Sequence, residues 1–89
     1  MFTSWGRETT HKYTAEEIEA ILEKLENEET YGIVLRAKGM LPTPEGTWTY
    51  FDMVPGEREL REGQPDYTGR ICVIGSKLAE DALAELFGL

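Results

Sequence analysis

The chain has 89 residues, 40% of them hydrophobic and 29% charged, which makes one small globular domain and leaves no room for a second. Seventeen acidic against nine basic residues give a formal charge of -8, unsuited to gripping a phosphate backbone or an anionic membrane, so neither nucleic acid nor membrane is an expected partner. A lone cysteine, Cys72, excludes an internal disulfide and every multi-cysteine zinc motif.

Residues 2–7 read as a short strand with aromatics at Phe2 and Trp5. They carry no apolar core of the signal-peptide kind, and nothing later approaches the roughly 20 apolar residues of a membrane span. The expected compartment is therefore the reducing cytoplasm. A helix is predicted over residues 14–27. Thr14 with Glu17 forms a capping-box pattern, and Ile18, Ile21, Leu22 and Leu25 form one apolar stripe at helical spacing. Glu16 and Glu17 suit the positive end of the helix dipole, whereas Glu28 and Glu29, past the expected end, do not.

Residues 31–38 read as a strand closed by Gly39, and residues 41–46, with two prolines and Gly46, as a turn. Residues 48–54 form an aromatic-rich strand, Pro55-Gly56 a turn, and residues 57–61 a charged edge strand. Residues 62–66 are loop, and residues 69–75 form a strand apolar enough to be central. A last helix over residues 79–87 is stopped by Gly88. The order β-α-β-β-β-β-α, with short links between strands, predicts an α+β two-layer sandwich: a mostly antiparallel sheet with both helices on one face.

Two short helices cover only one face of such a sheet. Strict alternation sends Ile33, Leu35 and Ala37 one way and Val34, Arg36 and Lys38 the other. The uncovered face is thus expected to hold Val34, Ile74, Cys72 and some aromatics, studded with Arg36, Lys38 and Arg70. A mixed apolar and basic patch on an acidic domain reads as a docking surface. On this reading alanine at Arg36 or Val34 leaves folding intact and weakens partner binding.

No catalytic constellation assembles. His11 is the only histidine, Ser4 and Ser76 have no histidine base nearby in sequence, and Cys72 sits in an apolar strand as a small hydrophobe. Gly75-Ser76-Lys77 is a fragment of a phosphate-binding loop without its preceding glycine pattern. Asp52, among Tyr50, Phe51 and Met53, reads as an ion-pair partner for Arg58 or Arg70.

Three runs carry a family resemblance: Tyr31-Gly32-Ile33-Val34-Leu35-Arg36-Ala37-Lys38-Gly39; Trp48 with Phe51-Asp52-Met53-Val54-Pro55-Gly56-Glu57; and Tyr67-Thr68-Gly69-Arg70-Ile71-Cys72-Val73-Ile74-Gly75-Ser76-Lys77-Leu78. Together they resemble the C-terminal domain of CobW-type GTP-binding proteins, over nearly the whole of residues 1–89, read as a single domain. The resemblance implies a longer protein in which a P-loop GTPase domain precedes this one. It also implies GTP and a divalent metal, zinc or cobalt, for the full-length protein, in metal delivery or cobalamin biosynthesis. The Walker motifs and cysteine cluster of that other domain are absent here, so the expected role is non-catalytic, with no cofactor of its own. The implied partners are the GTPase domain and a client metalloprotein. The expected contact residues are Val34, Arg36, Lys38, Trp48, Arg70 and Lys77. The alternative is an autonomous domain that binds a small ligand or metal, with Trp48 and Tyr50 lining a pocket.

Overall fold

The computed structural model describes residues 1–89. Its elements follow as β1 (Thr3–Thr9), α1 (Ala15–Lys24), α2 (Glu28–Tyr31), β2 (Ile33–Pro42), β3 (Trp48–Val54), β4 (Glu57–Glu62), β5 (Gly69–Ser76) and α3 (Glu80–Leu86).

The capping box at the start of α1 is complete. Glu17 N–H donates to Thr14 Oγ1 at 3.1 Å, and Thr14 N–H donates to the Glu17 carboxylate at 2.8 Å. The helix ends earlier than its composition predicts, because Asn27 takes an extended backbone and caps α2 instead. Its Oδ1 accepts from Glu29 N–H at 3.1 Å. Glu28 and Glu29 therefore stand at the start of a second helix, where the dipole favours them.

The five strands are ordered β1-β5-β2-β3-β4, with every neighbouring pair antiparallel. β2, β3 and β4 are joined by the expected hairpins. β1 and β2, however, both flank β5 and so run parallel to each other, joined across it through α1 and α2. The segment of residues 63–68 must likewise pass two strands to carry the chain from β4 to β5. The charged strand β4 lies at an edge and the apolar strand β5 between two neighbours, as their compositions predict.

β2 does not stop at Gly39 but continues to Pro42. Gly39 serves a different purpose: a Cβ there would collide with the Phe51 ring and the Arg70 carbonyl. The glycine lets an aromatic side chain cross the strand at close range.

One apolar core lies between the sheet and the helices. Ile18, Ile21, Leu22 and Leu25 from the first helical segment and Leu83 and Phe87 from the last meet Trp5, Ala37, Leu41, Phe51, Met53, Ile71 and Val73 of the sheet. The α+β two-layer arrangement with helices on one side is thus the one the sequence predicts. No helix is long and apolar enough to cross a membrane.

Strict alternation fails at one point. Val34 pairs with Gly75 and Arg36 with Ile74, so Leu35 is an extra residue in a β-bulge. The bulge turns Val34 inward, where it is 4% exposed within the core, and leaves Leu35 39% exposed. Val34 is consequently not on the uncovered face, and Leu35 does not share a face with Ala37.

Candidate functional site

The sheet face away from the helices is built by cross-strand rows. Gly6, Cys72, Lys38, Asp52 and Glu59 form one row. Glu8, Arg70, Met40, Tyr50 and Arg61 form the next. Ser4, Ile74 and Arg36 lie on the other side of the first. These residues, Ser4, Ile74 and Glu59 excepted, line an open concavity of about 740 Å³, among them Arg36, Lys38, Met40, Tyr50, Arg70 and Cys72.

Its shape has local causes. Gly6 stands opposite Cys72 and contributes no side chain, although space exists for one: the nearest atom to a built Cβ is the Ile71 carbonyl oxygen at 3.6 Å. Tyr50 forms a wall. Its ring packs on Gly63, where a Cβ would collide with it, and its hydroxyl donates to the Gln64 carbonyl at 3.0 Å. The segment of residues 63–68 is thereby drawn against the same face.

The cations around the concavity are held in different ways. Arg36 donates from Nε and Nη2 to the two oxygens of Asp52, at 3.1 and 2.7 Å. This fork holds the Asp52 carboxyl below the usual carboxylate range and raises the Arg36 guanidinium above its usual value. Because the Asp52 value is lowered on folding, the pair's contribution is fully present above the ordinary aspartate pKa of about 3.9 and is lost as pH falls through the lower folded value. Asp52 therefore pairs with Arg36, not with Arg58 or Arg70. Arg58 instead ties β4 to α1 through Glu19 at 3.1 Å and Glu26 at 3.7 Å.

Two further arginines lie on aromatic rings, Arg61 at 5.6 Å from the Tyr50 centroid and Arg70 at 5.8 Å from that of Tyr67, while Arg7 stacks on Trp5 on the helix side of the sheet. Stacking fixes a guanidinium plane while leaving its N–H edges available. Arg70 also approaches Asp66 at 3.6 Å and Glu8 at 4.0 Å. Lys38 makes no ion pair within 4.0 Å.

Of the six contact residues expected from the sequence, Arg36, Lys38 and Arg70 converge here. Trp48 lies on the same face, paired with Pro42 at the end of the sheet and outside the concavity. Val34 is in the core. Lys77 is exposed in the turn before α3, with φ of 56°, its carbonyl packed on Gly32. Sequence reasoning missed Met40, Arg61 and Gly6. Met40 was legible in the alternation from Arg36 through Lys38 once Gly39 is not taken as a strand end. Arg61 needed the pairing of β4 with Tyr50. The fold also holds an orphan: the buried Trp5 Nε1 has no hydrogen-bond partner.

No three His, Cys, Asp or Glu side chains converge in a way that could hold a metal ion. His11 lies exposed with its ring 4.5 Å from that of Tyr13, and Cys72 is half-buried between Gly6 and Lys38. The residues present do not fit the zinc or cobalt implied for the longer protein, and no chemistry is derived through a metal.

Two solved structures share the architecture: Zn(II)-bound YjiA GTPase from E. coli, with 24% identity and a TM-score of 0.79, and a Zn(II)-bound triple mutant of YjiA GTPase, with 23% identity and a TM-score of 0.80. The match covers 97% of this chain and 28% of either of those, so at this identity it establishes a shared fold and nothing more. No curated protein matches. The family model for the cobalamin synthesis protein cobW C-terminal domain matches residues 2–88, nearly the full chain. With the motifs, the sheet and the model in agreement over the same residues, the chain belongs to the CobW C-terminal domain family.

Proposed function

We propose that this chain is a non-catalytic, partner-recognising domain of a CobW-type GTPase that serves metal-ion delivery or cobalamin biosynthesis. Its open sheet face docks the P-loop GTPase domain or a client metalloprotein, and nucleotide state in the GTPase domain governs how that face is offered. The carrying observation is the one-sided sheet: helices bury one face, while the other gathers Arg36, Lys38, Arg70, Tyr50, Met40 and Cys72 around a concavity. Cations over a partly apolar floor are the composition of a recognition surface more than of a solvated sheet.

The test is a titration of the chain with a CobW-type GTPase domain supplied in trans, loaded with GDP or with a GTP analogue. Saturable binding weakened by Arg36→Ala is expected, with affinities that differ between the two nucleotides. Equal affinities reject the nucleotide-governed part, since a ligand with no differential affinity shifts nothing. Absence of binding rejects the docking itself. Stoichiometric uptake of zinc or cobalt by the chain alone would favour an autonomous ligand-binding role instead.

A further inference from the structure

The charge of the molecule is divided unevenly. Four of the nine basic residues, Arg36, Lys38, Arg61 and Arg70, present their side chains to the concavity, whereas only Glu8 and Asp52 of the seventeen acidic residues line it. Four minus two gives a local charge of +2 on a chain whose formal charge is -8. The volume of about 740 Å³ lies within the range of ligand sites, roughly 300–1,000 Å³.

We infer that this concavity binds a short acidic segment of a partner polypeptide, with glutamate or aspartate side chains on Lys38, Arg61 and Arg70 and intervening apolar side chains over Met40 and Cys72. The inference deepens the reading of the open face as the recognition surface by stating what that surface recognises.

Three features favour a carboxylate-bearing peptide. The guanidinium groups of Arg61 and Arg70 are already oriented by Tyr50 and Tyr67, and their carboxylate neighbours stand no nearer than 3.6 Å (Glu59 at 4.0 Å from Arg61; Asp66 at 3.6 Å and Glu8 at 4.0 Å from Arg70), so less side-chain entropy is lost when they engage a closer carboxylate. Lys38 has no carboxylate within ion-pair distance and so gains one without breaking another. The basic zone is also short. It is bounded by Glu8 on β1 and by Glu57 and Glu59 on β4, both at positions facing this side of the sheet. A nucleic acid strand carries phosphates onward past the concavity onto those glutamates, whereas a segment of a few residues ends within it. Coulomb attraction at such a surface is screened by salt, so the binding is salt-dependent.

The experiment uses fluorescence anisotropy of the 89-residue chain with a labelled octapeptide that alternates glutamate and leucine. The comparison ligands are the glutamine-leucine peptide and a single-stranded oligonucleotide of equal charge. The glutamate peptide is expected to bind at least about tenfold more tightly than its glutamine counterpart at low salt, and this margin should shrink as salt rises. Lys38→Glu and Arg61→Glu should each weaken it several-fold. Gly6→Val, which narrows the floor without altering charge, should weaken it as well. Lys24→Glu, on α1 away from the concavity, should have little effect. Unchanged circular dichroism establishes that the variants are folded.

Equal binding of the two peptides overturns the inference. So does a loss with Lys24→Glu as large as with Lys38→Glu, or tighter binding of the oligonucleotide. The outcomes for the two proposals separate. If the GTPase domain docks but the acidic peptide does not bind, only the present inference fails. If the peptide binds but the GTPase domain does not, only the docking reading fails.

Discussion

Val34 and Arg36 are two residues apart, and the bulge between them puts them on opposite sides of the sheet. Their alanine variants should therefore behave differently. Val34→Ala deletes two methyl groups from a site that is 4% exposed, a loss of about 1–3 kcal/mol by the cost of buried methyl deletions. Arg36→Ala removes an exposed ion pair and should leave the denaturation midpoint nearly unmoved while weakening partner binding. Urea denaturation of the two variants checks both outcomes; equal midpoints would contradict the inward placement of Val34. The sequence makes Asp52 legible as an ion-paired residue, since a carboxylate among aromatics needs a partner. Which arginine it meets depends on the strand register, and no local pattern encodes that.

At the scale of elements, α1 was legible because everything that makes it is local. The apolar stripe and the reciprocal capping bonds lie within a few residues of one another. Thr14→Ala opens the capping box and should cost about 1 kcal/mol, read as a lowered thermal midpoint, with Thr14→Ser recovering most of it. The short helix α2 was hidden because its two glutamates look like a misplaced continuation of α1 until Asn27 is seen to cap them. The sequence makes β2 look too short because Gly39 in a strand ordinarily signals an end. Its real cause, the Phe51 ring lying across it, comes from another strand. The bulge at Leu35 was hidden for the same kind of reason. Alternation is a local rule, and a bulge is defined only by the neighbouring strand, here β5.

The molecule as a whole is closed by Tyr13. Its backbone N–H donates to the Pro42 carbonyl at 2.9 Å, and its buried hydroxyl donates to the Phe87 carbonyl. One side chain thus ties the approach to α1 to the end of β2 and to the C-terminal helix. Burial, and secondarily the Glu17 charge, raises the Tyr13 hydroxyl above its ordinary value. The folded state therefore holds this proton more tightly than the unfolded chain. The resulting stability is fully present below the unfolded tyrosine pKa of about 10 and is lost as pH rises through the higher folded value. Tyr13→Phe should lose about 1 kcal/mol at neutral pH, the net worth of a buried hydrogen bond, and should flatten the alkaline limb of a stability-against-pH curve. An alkaline limb unchanged in Tyr13→Phe would show that another group governs it.

The sequence by itself determined the α+β class, the amphipathic first helix, the apolar central strand, the charged edge and the family to which the chain belongs. Each rests on periodicity or motif within a continuous run, where the physics is that of neighbouring residues. Only the tertiary structure decided that β1 and β2 flank β5, that Val34 faces inward, and that cations from three strands gather around one depression. Hydrogen-bond register between distant segments sets all three, and a shift of one residue would send the same side chains to the opposite face.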